Sequence, residues 1–152
     1  MVDTMTLDEY RTKRDFAHTP EPEGERPSDK LQFVVQEHDA THLHFDFRLS
    51  LDGVLKSWAV PKGVPEEPKV KRLAVQVEDH PLEYASFEGT IPNGEYGGGN
   101  VKIWDDGSFL LKERSQDKIV VELQGRRLKG LYALVRFKGK EQSGKNWLIM
   151  KL

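Results

Sequence analysis

Hydrophobic and polar residues alternate strictly over residues 42–51, which predicts a β-strand with two chemically different faces. The hydrophobic face would carry Leu43, Phe45, Phe47, Leu49 and Leu51. The polar face would carry His42, His44, Asp46, Arg48 and Ser50. Asp52 and Gly53 form a turn signal, so the apolar run 54–60 is expected to be the second strand of a hairpin.

Similar short runs recur along the rest of the chain, with turn residues between them. They predict strands over residues 32–37, 73–78, 101–104, 108–112, 119–123, 131–137 and 147–152. Residues 105–107, Asp-Asp-Gly, are interpreted as a hairpin turn. The regular spacing of about eight short strands is typical of an all-β fold, either an antiparallel barrel or a sandwich.

Residues 1–30 follow no such pattern and are predicted to form a mostly irregular, partly disordered N-terminal arm ahead of a β-domain at 31–152. A short helix is expected over residues 5–16, with Thr6 as its cap. Residues 18–27 are rich in proline and charge and have no period, which favours a loop or disorder.

The amino-acid composition excludes several kinds of functional site. The 152 residues suit one domain with a real core. The absence of cysteine excludes a disulfide scaffold, a thiolate zinc site, an iron–sulfur cluster and a cysteine nucleophile. No run approaches the ~18 apolar residues of a membrane span, and no signal-peptide core is seen, so we expect a cytoplasmic protein without a membrane partner.

The net charge of −2 conceals an uneven distribution. Residues 112–152 carry 11 basic and 4 acidic side chains, whereas the rest of the chain is acidic. Such asymmetry indicates either a polyanionic partner or a set of solvated, lysine-rich strand faces. Charge alone leaves both interpretations open.

The polar face of the strand at 42–51 carries candidate metal chemistry. Residues that alternate on one strand face are close neighbours, under about 7 Å apart. Histidine and aspartate suit a divalent transition metal such as manganese, iron or zinc, and Arg48 offers a planar fork for phosphate. His38, at the end of the preceding strand, is near enough to reach the same cation. Three histidines favour a metal site over a solvated strand face, which usually uses lysine, glutamate and threonine.

Two further segments are polar in the same way. Residues 78–84 contain His80 and Tyr84, both able to donate to a phosphoryl oxygen or to transfer a proton. Residues 89–99 are dense in glycine but lack the ending of a phosphate-binding Walker loop. They are interpreted as an irregular connection that is either a plain turn or the rim of a pocket.

Several motifs in the same order resemble the 3′-phosphoesterase module of bacterial DNA ligase D and its free-standing relatives. The matching segments are residues 36–49, 57–63, 78–84, 87–92 and 94–97, with 10, 13–16 and 19–22 in the arm. The resemblance implies a compact antiparallel β-barrel with a polar groove. It also implies Mn²⁺-dependent repair of 3′ ends, in which a terminal ribonucleotide is trimmed and the remaining 3′-phosphate is removed.

The resemblance also assigns roles to individual residues. It implies Mn²⁺ ligands, with other divalent transition metals as substitutes, at His38, His44 and Asp46. It implies catalytic groups at Arg48, Lys62, Arg72, His80 and Tyr84. It implies substrate-binding groups at Arg14, Asp15, Glu21 and Gln36. The expected partners are DNA or RNA-tipped primer–template 3′ ends, with a ligase or polymerase acting in trans.

In this scheme Arg48, helped by Lys62 and Arg72, would hold phosphate oxygens, and His80 would be a general acid or a donor to the transition state. The nucleophile is open between a water and the ribose 2′-hydroxyl. His42 stands where arginine is expected in relatives and is left outside the ligand set.

Two alternatives come from other functional classes. His44, Asp46 and a distant His80 are also compatible with a mononuclear iron(II) oxygenase, which uses two histidines and one carboxylate. A non-catalytic DNA-end binding module would use the basic residues at 112–152 for phosphates and Tyr84 or Trp104 for stacking.

Overall fold

The structure, a computed structural model, describes residues 7–22, 31–137 and 144–152. These residues form a short α-helix, a 3₁₀ helix and nine strands. In chain order the elements are α1 (Asp8–Thr12), β1 (Gln32–Asp39), β2 (Leu43–Leu51), β3 (Val54–Val60), β4 (Lys71–His80), the 3₁₀ helix (Leu82–Ser86), β5 (Gly89–Ile91), β6 (Gly99–Arg114), β7 (Lys118–Gly125), β8 (Lys129–Arg136) and β9 (Asn146–Lys151).

Eight of the described strands close into an antiparallel barrel. The order is β1-β2-β3-β4-β9-β8-β7-β6, and β6 pairs back onto β1, while β5 pairs with β6 outside the ring. Closure leaves the eight barrel strands without free edges. The structure therefore confirms the all-β barrel. Among the described residues, no helix is long and apolar enough to cross a membrane.

The hydrophobic face of β2 points into the barrel, as its alternation predicts. Phe47 and Leu49 are fully buried there and belong to one large cluster with residues from the other barrel strands. Trp58 and Trp147 meet edge to face in this interior, with ring centroids 5.7 Å apart. Large aromatic side chains fill the barrel, so its interior is a packed core rather than a channel.

The outer wall of the barrel is also buried along β1, β2 and β3. A second cluster on this outer side includes Tyr10 from α1, Tyr84 from the 3₁₀ helix and Leu55 from β3. The polar face of β2 lies beneath this layer, where Asp46 is 6% exposed and Arg48 is 3% exposed. The arm and the 3₁₀ helix thus convert an outward polar face into the floor of a pocket.

The hairpin predicted at residues 105–107 is wrong, because β6 runs unbroken from Gly99 to Arg114. Asp105 is fully buried, and its carboxylate accepts the backbone N–H groups of residues 126–128 in the β7–β8 turn. A side chain at Gly107 would place its Cβ 2.2 Å from the carbonyl oxygen of Gln124. Gly107 therefore allows close contact with β7, and Asp105 caps the β7–β8 turn.

Two smaller differences concern the arm and the glycine-dense segment. The helix spans only Asp8–Thr12. Its N-cap residue is Leu7, which makes no side-chain capping hydrogen bond. The predicted cap Thr6, and residues 23–27 of the segment 18–27 predicted as loop or disorder, lie outside the described residues. The segment at 89–99, interpreted as irregular, begins with the short strand β5 because its first three residues pair with β6.

Candidate metal centre

His38 and His44 face each other directly across the β1–β2 ladder. Their ring centroids are 4.8 Å apart, and Asp46 lies two residues beyond His44 on the same side of β2. One ligand atom from each of the three residues falls within 4.8 Å of the others. Strand pairing therefore assembles two imidazoles and one carboxylate without help from a loop.

When their rings are neutral, both histidines direct an unprotonated nitrogen toward Asp46. Nε2 of His38 lies 2.7 Å from the carbonyl oxygen of Gly97, and Nδ1 of His44 lies 3.0 Å from that of His42. A carbonyl can only accept, so each of these outer nitrogens carries the proton in the neutral ring. The inner nitrogens lie 3.6 and 3.4 Å from the Asp46 carboxylate.

This arrangement fits a divalent cation. The lone pairs of the two imidazoles would repel the carboxylate of Asp46 unless a positive charge lies between them. In metal sites, the histidine ligands are oriented by an N–H bond from their outer nitrogen to a carbonyl or carboxylate oxygen. Two nitrogens and a carboxylate suit manganese, iron or zinc. The ligand set predicted for a metal, His38, His44 and Asp46, is the group that the structure brings together.

The charge of Asp46 is maintained by its neighbours. Burial opposes ionisation, but Arg48, His38 and His44 outweigh it and hold the pKa of Asp46 well below its usual range. When the ring of His44 is protonated it donates to Asp46, and this hydrogen bond raises the pKa of His44. The carboxylate is therefore ionised at neutral pH and available as a ligand.

Arg48 lies beside the metal group, with Nη2 3.5 Å from Oδ2 of Asp46. Its Nε donates to Oε1 of Gln36 at 2.7 Å, and its guanidinium lies 4.8 Å from the ring centroid of Tyr84. Nη1 is buried and makes no hydrogen bond to the described residues. Because an unpartnered guanidinium N–H is costly to bury, this donor is suited to an oxyanion in the pocket.

Gln36 acts from behind the pocket wall. Its side chain is fully buried, and Nε2 donates to the carbonyl oxygens of Tyr84 and Phe87. Those two bonds orient Oε1 toward Arg48. The predicted substrate-binding residue Gln36 therefore positions the arginine and connects β1 to the 3₁₀ helix.

His80, the last residue of β4, is neutral. Burial, followed by the charges of Arg48 and Arg14, holds the pKa of His80 well below its usual value. Nδ1 lies 2.9 Å from the carbonyl oxygen of Glu78 and must donate to it, so Nε2 carries the lone pair. Nη2 of Arg14 approaches that lone pair at 3.4 Å.

The arm contributes a buried charge network to the pocket. Arg14 bonds Oε2 of Glu21 at 2.9 Å and Oε1 of Glu78 at 3.3 Å. The hydroxyl of Tyr84 donates to Glu21 at 2.8 Å, and burial raises the pKa of this tyrosine strongly. The hydroxyl of Tyr10 donates to the carbonyl oxygen of Pro22. These contacts join the arm to β4 and to the 3₁₀ helix.

Together these residues line a pocket of about 290 Å³. Eight of the sequence-predicted site residues lie in its wall: Arg14, Glu21, His38, His44, Asp46, Arg48, His80 and Tyr84. The unpredicted residues in the wall include Glu78, Tyr96 and Gly97. The pocket therefore combines ligands for a cation with donors for an anion.

Besides Gln36, three predicted residues are not brought into this wall. Arg72 shares the barrel-interior face of β4 with the core residue Ala74, and its Nη1 donates to the carbonyl oxygens of Lys62 and Gly63. Lys62 is exposed, and Asp15 is an exposed partner of His18 at 2.6 Å. Their assigned roles stay predictions. His42, left outside the ligand set, is exposed.

Glu78 is a site residue that the alternation of β4 conceals. In a regular strand Val77 and Glu78 would face opposite sides, yet both line the pocket with His80. A bulge in the β3–β4 pairing between Leu55 and Ser57 shifts the phase of the strand there. Glu78 is the first residue of the segment 78–84 that contains His80, and this position in the motif is the signal that the sequence offers.

Comparisons with known proteins identify a family and close relatives for this chain. The family model of the DNA ligase D 3′-phosphoesterase domain matches residues 36–136. The multifunctional non-homologous end joining protein LigD of Pseudomonas aeruginosa is 48% identical over 162 residues, covering 99% of this chain and 19% of that protein. LigD of Mycobacterium tuberculosis is 48% identical over 153 residues, covering 96% and 20%. The chain thus spans about a fifth of the length of these relatives.

Proposed function

This chain belongs to the DNA ligase D 3′-phosphoesterase family, and we propose that it is a manganese-dependent phosphoesterase that heals DNA 3′ ends. It would act as a phosphodiesterase on a 3′-terminal ribonucleotide and as a phosphomonoesterase on the 3′-phosphate that remains. The product is a 3′-hydroxyl ready for ligation or extension. The observation that carries the proposal is the convergence of the metal group and the unpartnered Nη1 of Arg48 on one pocket.

His38, His44 and Asp46 would hold the metal. A bound divalent ion supplies charge neutralisation to a phosphoryl oxygen and lowers the pKa of a coordinated water. Two imidazoles and one carboxylate leave coordination positions for substrate and water. Of the metals that suit these ligands, which are manganese, iron and zinc, we propose manganese.

Arg48 would bind a non-bridging phosphate oxygen through Nη1. Its Nε is held by Gln36 and its Nη2 faces Asp46, so the guanidinium has little freedom to turn. A donor oriented before the substrate arrives stabilises the developing charge without reorganisation. Lys62 and Arg72 would contribute from the barrel end only through longer-range charge.

His80 would act first as a base at Nε2, once the long contact from Nη2 of Arg14 gives way to the nucleophile. A neutral imidazole with a lone pair there can take the proton of the nucleophile, a water or a ribose 2′-hydroxyl. Only after that step can it act as the general acid toward the leaving oxygen. The hydroxyl of Tyr84 keeps its proton and would hold Glu21 rather than transfer a proton itself.

The arm would govern how the strand end enters. Arg14, held between Glu21 and Glu78, places a positive charge against His80, where the nucleotide beyond the scissile phosphate would lie. Asp15, on the exposed side of the arm, would contact the substrate only at the pocket mouth. The substrate is a primer–template 3′ end, in the cytoplasm, and a ligase or polymerase would act on the product.

A labelled primer–template tests the proposal. Strands ending in a ribonucleotide, a 3′-phosphate or a 3′-hydroxyl are incubated with the protein and Mn²⁺, Mg²⁺, Zn²⁺ or chelator, and products are separated on a gel. We expect the first two ends to become 3′-hydroxyl with Mn²⁺ and to persist with chelator. Binding without any change of the end would favour the non-catalytic module. Oxygen uptake with a 2-oxo acid would favour the oxygenase.

A further inference from the structure

Tyr96 is an exposed aromatic ring in the wall of a pocket whose other aromatic rings are covered. It lies in the loop between β5 and β6 and is 48% exposed. Tyr84, by contrast, is 2% exposed, and Tyr10 is fully buried. Of the two tyrosines that line the wall, Tyr84 and Tyr96, only Tyr96 therefore offers an open ring to a ligand.

The loop holds Tyr96 close to the metal group. The next residue, Gly97, adopts a φ of +76° and accepts the Nε2 proton of His38 through its carbonyl. A Cβ at Gly99 would lie 2.3 Å from the carbonyl oxygen of Asp39, so the loop backbone presses against the end of β1. Tyr96 is thus one residue from the carbonyl that orients a metal-ligand histidine.

Contacts from the arm restrict the ring. Nζ of Lys13 lies 4.6 Å from the ring centroid and 3.3 Å from the hydroxyl oxygen, and the guanidinium of Arg14 lies 5.4 Å from the centroid. Lys13 is held in turn by Glu78 at 3.2 Å. An aromatic ring oriented in this way loses little conformational entropy when a second flat group packs on it.

We propose that Tyr96 is the stacking platform for the nucleobase of the 3′-terminal nucleotide, an inference that rests on the proposed function and names its base subsite. A phosphate on the metal group places the attached sugar and base within one nucleotide's reach of the loop. Stacking accepts any base, because every base has a π-face. Trp104 is less suited, since it packs against Phe45 and Arg127 at the barrel end.

Kinetics on two substrates test the subsite. KM is measured for a 3′-phosphate strand whose last nucleotide carries a base and for the same strand with an abasic last nucleotide. We expect Tyr96→Ala to lower the preference for the base-bearing end about tenfold, the lower half of the range for one stacked base. Tyr96→Phe should keep the preference. Leu110→Ala, which changes an equally exposed residue on β6, should also keep it.

Fluorescence supplies a readout independent of turnover. A strand with 2-aminopurine as its 3′-terminal base is titrated with protein and chelator, beside a strand with the probe at an internal position. We expect quenching of the terminal probe by the wild type and by Tyr96→Phe, and its loss in Tyr96→Ala. Equal quenching by all three variants, or none by the wild type, would overturn the stacking platform. Quenching without any end processing would overturn the proposed function and leave the subsite standing.

Discussion

Nη2 of Arg14 lies 3.4 Å from Nε2 of His80, so a side chain of the arm donates to a histidine at the end of β4. The orientation follows from the other side of the ring, where Nδ1 must donate to the carbonyl oxygen of Glu78. This contact makes the arm part of the pocket. It also provides a way to detach the arm without touching the barrel.

Replacing Arg14 by methionine is expected to release the arm. Glu21 and Glu78 would lose the cation between them, and breaking a buried ion pair from one side costs about 3–5 kcal/mol. Hydrogen exchange should rise over residues 8–22 while the barrel strands keep their protection, and end processing should fall. The matched control is Glu9→Gln in the same arm, whose ion pair with Lys13 is exposed. Unchanged exchange over the arm in Arg14→Met would contradict this coupling.

Asp46→Asn should abolish end processing and weaken Mn²⁺ binding by at least about 100-fold, because the site loses its only anionic ligand. Manganese affinity is measured by electron paramagnetic resonance of the free ion, and circular dichroism checks the fold. His42→Ala is the control, since that side chain is exposed and only its backbone carbonyl meets His44. Tight Mn²⁺ binding by Asp46→Asn would refute the ligand assignment.

His80 should make the protein less stable in acid. Its pKa is lowered by folding, so below a pH of about 6.5 the unfolded chain takes up a proton that the folded chain does not. The free energy of unfolding should therefore rise with pH up to that value, with a contribution of at most about 1.4 kcal/mol per pH unit. Urea unfolding across pH 5 to 8 measures the slope. His80→Gln should remove this contribution, and an identical slope in both proteins would refute it.

Asp105→Ala should destabilise the barrel by about 2–4 kcal/mol, because the β7–β8 turn loses the acceptor of its backbone N–H groups. Asp106→Ala should cost no more than about 0.5 kcal/mol, since that neighbour is half exposed and pairs only with the exposed Arg126. Chemical denaturation compares the two variants. Equal losses would show that Asp105 does not support the turn.

Local sequence patterns predict the features of the fold and of the site that depend on the alternation of side chains along a strand. The opposite faces of β2 and the turn at Asp52 and Gly53, both with positive φ, follow from neighbouring residues alone. The metal ligands His44 and Asp46 were found for the same reason. His38 is predictable in the same way, because an antiparallel hairpin brings the end of β1 to the start of β2.

What could not be predicted depends on contacts distant in the chain. The bulge that turns Glu78 into the pocket is a property of the β3–β4 pairing, and no residue of β4 signals it. Gly107 was mistaken for a turn because the same residue type serves turns and close strand contacts. The burial of the polar face of β2 depends on an arm whose own sequence resembles a loop.

The pocket draws on the arm, on β1, β2 and β4, and on the loop before β6, and the ring of strands closes only when β1 meets β6 and β9 fills the gap between β4 and β8. Pairing between segments that are distant in the chain is slow, because the loops between them must first be closed. A partly folded chain therefore carries histidines and arginines but no assembled phosphate site. If the proposed function is right, only the completed barrel would process DNA ends.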